Sequence, residues 1–188
     1  MIDNPASETL VSRLLSVMEN DIIPLTRRGV AEGNKVFGAA LLRKSDLSLV
    51  LAETNNETLW HGEIHTLKRF YEQAEKPDTK DLIFLSTHEP CTMCMSAITW
   101  AGFDNFFYFF SHEDSRDAFA IPHDLKILKE VFGLEPGGYR RNNTFWNSFW
   151  ITDLKRRQSS QAAWMRSRLL MARCPTPTSP PRTAMRSR

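Results

Sequence analysis

Apolar positions fall into two rhythms along the chain. Leu10, Val11, Leu14, Leu15, Met18 and Ile22 recur at helical spacing behind Ser7, a residue type suited to capping, with Glu8 in the first turn. This predicts an amphipathic opening helix, which Pro24 either kinks or ends ahead of a second short helix. Residues 36–42 and 47–52 are instead apolar runs around Arg43-Lys44-Ser45-Asp46, the pattern of two antiparallel strands joined by a tight turn. Helical spacing returns over residues 62–74 and is broken by Lys76-Pro77-Asp78.

Leu82-Ile83-Phe84-Leu85-Ser86-Thr87 and Phe106-Phe107-Tyr108-Phe109-Phe110 are apolar enough to be strands covered on both faces. Between them Pro90 opens a helix that runs to about Ala101. Leu125, Ile127, Leu128 and Val131 form a further helical stripe over 124–132, stopped by Gly133. Strands alternating with helices imply an α/β layered domain whose central sheet is at least partly parallel. Phe145, Trp146, Phe149 and Trp150, at i, i+1, i+4 and i+5, fit a helix on the core, a dimer surface or a lid over a site. Internal repeats are lacking.

The 188 residues suit one domain with an appendage, and 41% apolar content suits a buried core. Charge divides the chain unevenly. Residues 1–154 hold 15 basic residues against 22 acidic, a net charge of −7, whereas residues 155–188 hold nine basic residues and no acidic one. The expected domain is therefore 1–154. The tail, with four of the ten prolines, reads as disordered or non-native, or else as a basic arm. An acidic body repels phosphates, which argues against tight binding of a long nucleic acid and suits a small neutral substrate. No run approaches the roughly 18 apolar residues of a membrane span, and Met1-Ile2-Asp3-Asn4 lacks the plan of a secretory signal, so a cytoplasmic address is expected.

The chemistry concentrates in His61-Gly62-Glu63 and Pro90-Cys91-Thr92-Met93-Cys94. One imidazole and two thiolates make a three-ligand zinc set with a fourth position open for water, the arrangement of catalytic rather than structural zinc. Helix N-termini favour thiolate over thiol, and a three-residue spacing puts both sulfurs on one face. Glu63, two residues past His61, is placed to take a proton from an activated water and pass it to a departing amine. Cys91 and Cys94 alone also fit a redox pair or half of a structural zinc site, and Cys174 has no evident partner. His65 is expected to be a satisfied or pocket-edge histidine. His88 either lines the site or ends a strand.

His-x-Glu followed, after 26 intervening residues, by Pro-Cys-x-x-Cys resembles the cytidine deaminase-like superfamily, in its cytosine and guanine deaminase branch, over about residues 8–154. The resemblance implies a three-layer helix-sheet-helix sandwich with a central mixed sheet. It implies one Zn2+ per chain on His61, Cys91 and Cys94, with Glu63 as proton shuttle. The activity implied is hydrolytic removal of the exocyclic amine of a nucleobase, nucleoside or related heterocycle, with release of ammonia, by a homodimer. His61-Gly62-Glu63-Ile64 and Trp150-x-x-Asp153 look like fungal cytosine deaminase. Cys94-Met95-Ser96-Ala97 and Ser111-His112-Glu113-Asp114 look like guanine deaminases. Substrate contacts implied are Asn55 or Asn56, Trp60 as a pocket wall, the backbone at Gly62, and Asp114, Trp150 and Asp153. The loop from Asn55 to His61 is shorter than in those relatives. The alternatives are a tRNA adenosine deaminase, which would need a basic approach surface, and a non-catalytic scaffold whose zinc is structural.

Overall fold

The computed structural model describes residues 2–135 and 138–157. The tail beyond Arg157, with Cys174, lies outside them. Glu8–Val17 (α1), a wide π turn at Met18–Ile22 and Ile23–Ala31 (α2) follow one another as continuous helical backbone. Ser7 caps α1 by accepting the Leu10 N–H. Pro24 therefore does not end the helix. Its missing N–H and bulky ring are taken up by the widened turn just before it.

Gly38–Arg43 (β1) and Leu49–Thr54 (β2) form the antiparallel hairpin. Leu47, expected to begin the second strand, instead sits at φ 60° in the connecting turn, where the Asp46 carboxylate accepts the Ser48 N–H and hydroxyl at 3.0 and 2.7 Å. Gly62–Tyr71 (α3), Leu82–His88 (β3), Thr92–Trp100 (α4), Asn105–Phe110 (β4), His112–Phe119 (α5), His123–Phe132 (α6), Asn147–Trp150 (β5) and Ile151–Arg157 (α7) complete the order. The sheet runs β2-β1-β3-β4-β5. The β1 strand pairs antiparallel with β2 and β3, and β3-β4-β5 are parallel.

Alternate residues of the sheet feed two cores. Ala40, Leu42, Ile83, Leu85, Phe107 and Phe109 pack under α1, α2, α5 and α7, while Ala39, Leu41, Phe84, Phe106 and Tyr108 pack under α3 and α4. The molecule is thus the three-layer sandwich with a mixed sheet. The wholly buried β3 and β4 are its centre.

The aromatic cluster at 145–150 requires a correction. It is not a helix: Phe145 and Trp146 lead into β5, beside β4, and Phe149 and Trp150 lie within it. Phe149 stacks on Phe107 at 4.7 Å on one face, while Trp146 packs on Phe106 on the other and its indole N–H donates to Thr99 at 2.8 Å. The true period of two is masked by Ser148, which breaks the apolar alternation. Among the described residues, no helix is long and apolar enough to cross a membrane.

Candidate active site

The start of β1 and the ends of β2, β3 and β4 gather at one end of the sheet, and the first turns of α3 and α4 begin there. His61 caps α3 and Cys91 caps α4, both in extended backbone, with Glu63 and Cys94 in the following turns. Two helix N-termini therefore face one point. The approach is close because Gly62 lies flush against Gly38, where a Cβ would meet the Gly38 Cα at 2.6 Å.

His61 Nδ1 stands 3.6 Å from each of the Cys91 and Cys94 sulfurs, which are 3.5 Å apart. Tetrahedral zinc, with bonds of about 2.3 Å to sulfur and about 2.0–2.1 Å to nitrogen, spaces such donors about 3.5–3.8 Å apart. Two soft sulfurs and an imidazole at that spacing fit the ion, and among the described residues they are the group whose donor atoms lie close enough to share one. The Cys91 thiol is pulled down to about 4 by its hydrogen bond with Cys94, with His61 adding to the effect. Cys94 is pushed up by that same bond, with burial and Glu63 reinforcing it. His61 is raised by its bond to Cys91.

Glu63 is buried beside this triad. Its Oε1 accepts the Ser86 hydroxyl at 2.9 Å and its Oε2 accepts from Cys94 at 3.4 Å. Burial lifts its carboxyl to about 7, with the Cys91 sulfur adding to the rise. Ser86 escaped the sequence reading. The signal was present, since Ser86 and Thr87 are hydroxyls at the end of an otherwise apolar strand.

The residues expected to touch a substrate fare differently. Asn55 is buried and its amide is spent on the protein: Oδ1 accepts the Lys35 N–H at 2.8 Å, and Nδ2 donates to the Glu57 and Trp60 carbonyls at 2.9 and 2.7 Å. It braces the short loop to His61. Asn56 is exposed, its N–H donating to the Trp60 carbonyl at 2.8 Å, and Trp60 is 38% exposed with the Lys68 ammonium 5.7 Å from its ring centre. Gly62 serves close packing. Asp114 caps α5 in a reciprocal box with Ser111. Trp150 donates its indole N–H to the Phe109 carbonyl at 2.9 Å under the Arg156 guanidinium, and Asp153 lies half-buried in α7.

His65 is satisfied, its Nδ1 2.9 Å from the Thr54 carbonyl and 3.4 Å from Glu53. His88 is walled by Phe37, Phe110 and Phe119, and burial drives it down to about 3. A carboxylate that the sequence reading passed over stands nearer the triad electrostatically. Asp124, in the first turn of α6, is raised by burial and by the Cys91 charge, while His112 and His61 pull it down.

A family model described as MafB19-like deaminase matches residues 11–135. A curated guanine deaminase from Bacillus subtilis is 29% identical over 101 aligned positions, an alignment that covers 50% of this chain and 62% of that protein, so the chain spans under two thirds of its relative. The X-ray structure of guanine deaminase from Bacillus subtilis superposes with a TM-score of 0.51 at 24% identity, covering 80% of this chain and 92% of that one. A guanine deaminase structure from Nitrosomonas europaea gives 0.53 at 20% identity, covering 84% of each chain.

Proposed function

The chain belongs to the MafB19-like deaminase family, within the cytidine deaminase-like superfamily, and from that premise we propose that it is a zinc-dependent hydrolytic deaminase of a nucleobase, nucleoside or related heterocycle. The observation that carries this reading is the Glu63 carboxyl held by Ser86 beside a histidine and two cysteines at tetrahedral donor spacing. Guanine-type bases are favoured over cytosine-type by the likeness to the Bacillus subtilis protein.

His61, Cys91 and Cys94 would hold the ion. When bound there, zinc supplies Lewis acidity that brings the pKa of a water in the site down to about 7. The remaining work belongs to the chain. Glu63 takes a proton from the attacking water as its oxygen bonds to the amine-bearing carbon. It gives that proton to the ring nitrogen, then takes the second from the hydroxyl now on the carbon and passes it to the departing amine, so that amine plus water becomes carbonyl plus ammonia. Ser86 fixes the rotamer from which both transfers occur. To Asp124, raised by burial and by the Cys91 charge, we assign the role of accepting from a donor on the substrate. Tyr71 and Trp100, 51% and 91% exposed on α3 and α4, support a homodimer joined across those helices.

The test is ammonia release by zinc-loaded protein offered guanine, cytosine, adenine and their nucleosides. Glu63→Gln should keep its zinc and lose turnover by about 10²–10⁴-fold. Zinc-loaded wild type that releases ammonia from none of them would refute the proposal and favour a scaffold.

A further inference from the structure

Glu89 precedes the Pro90-Cys91 turn and contacts none of the three donor atoms in the hydrogen bonds described, yet its side chain is only 1% exposed. Its backbone N–H donates to the Phe110 carbonyl at 2.7 Å, joining the end of β3 to the end of β4. The Oε2 atom accepts the backbone N–H of His112 at 3.0 Å, with His112 Nδ1 at 3.6 Å. On the other side, Oε1 accepts the Tyr139 hydroxyl and the Arg141 guanidinium, the latter at 3.1 Å. The His112 ring then reaches back, its Nε2 standing 3.1 Å from the Pro90 carbonyl. A carbonyl can only accept, so that nitrogen carries the proton and the ring's orientation is set.

These bonds close a loop. Glu89 holds the His112 backbone, the His112 ring holds the Pro90 carbonyl, and Pro90 is covalently joined to both Glu89 and Cys91. A buried carboxylate keeps such a place only while its charge is met, and Arg141 meets it from a segment 52 residues away, its guanidinium 5.7 Å from the Tyr139 ring centre. The charge pair thus bears on the turn that presents a metal-binding sulfur, although none of its members belongs to the donor set.

Resting on the reading of His61, Cys91 and Cys94 as a zinc site, we propose that Glu89 is a positioning residue. With His112 as strut and Arg141 as counter-charge, it holds the Pro90-Cys91 turn in the form that retains the ion. Outer groups that orient a ligand affect metal affinity by about 10–100-fold in well-characterised sites.

The experiment compares the wild-type 188-residue chain, Glu89→Gln, Arg141→Gln and Arg141→Lys with Lys44→Met, which breaks the Lys44–Asp104 pair at the opposite end of β1. Zinc release is timed with a colorimetric chelator, and the thiolate-to-metal absorption of cobalt-loaded protein is recorded. Glu89→Gln and Arg141→Gln should release zinc about tenfold faster or more and shift the cobalt bands, Arg141→Lys should recover part of the effect, and Lys44→Met should match wild type. Release within about twofold of wild type in both variants would overturn the inference. If Glu89→Gln does not fold, Arg141→Gln decides, because its guanidinium lies at the partly exposed rim. Wild type that holds no zinc would retire the metal reading as well. Wild type that holds zinc while both variants hold it equally well would retire this inference alone.

Discussion

Gly62 and Gly38 meet backbone to backbone: a Cβ on Gly62 would lie 2.6 Å from the Gly38 Cα and 2.7 Å from its nitrogen. Neither neighbour is a side chain that can swing away. Gly62→Ala must therefore push the start of α3 off β1, moving His61 and Glu63 together. The expected cost is about 1–3 kcal/mol in chemical denaturation, with weakened zinc retention. An alanine variant as stable as wild type would show that the contact yields.

Zinc uptake should release protons. With Cys94 held as a thiol against Cys91, and with His61 raised, the metal-free triad carries protons that an ion must displace. Affinity is accordingly expected to fall as pH falls. Calorimetry in buffers of different ionisation enthalpy measures the number released, and a value of zero at neutral pH would contradict the arrangement described.

His88 makes stability depend on pH in a defined direction. Burial keeps its folded pKa near about 3, while an unfolded histidine titrates at about 6.5. Between those values the unfolded chain binds a proton that the folded chain does not, so acidification below about 6.5 favours unfolding. This one group contributes a slope of up to about 1.4 kcal/mol per pH unit. Subtracting the denaturation profile of His88→Leu from that of wild type between pH 4 and 6 isolates it. Parallel profiles would mean that His88 reaches a proton partner in the folded state.

Asp124→Asn should act on substrate rather than on metal. Zinc content is expected to stay at one per chain while KM rises by about tenfold or more, the scale of losing a hydrogen bond to a charged group. An equal KM would remove Asp124 from the set of substrate contacts.

The parts of the site legible in advance are those whose chemistry is local. His61, Glu63, Cys91 and Cys94 announce themselves by spacing, and the strands containing Phe84 and Phe107 by unbroken apolar runs. What stayed hidden depends on partners distant in the chain. The β5 strand exists because it pairs with β4, and its four residues carry too short a period to betray themselves. Asn55 reads as a recognition residue until the Lys35 N–H and the loop carbonyls consume its amide. Glu89 looks like a flanking residue of the cysteine motif, and only the fold brings Arg141 to it. Asp114 and Asp124 are equivalent as letters. One folds back on Ser111, and the other falls within reach of the charges of the triad.

The sheet's mixed strand directions have a consequence for descent. The turn that presents Cys91, a candidate metal donor, grows out of the buried β3, whereas Asn56 and Trp60 sit on the connection from β2 to α3 and Asp124 in the first turn of α6. A lineage can thus alter the start of α6 and change which molecule is admitted while inheriting the buried strand end beneath Cys91 intact, so the two can diverge at different rates within one ancestry.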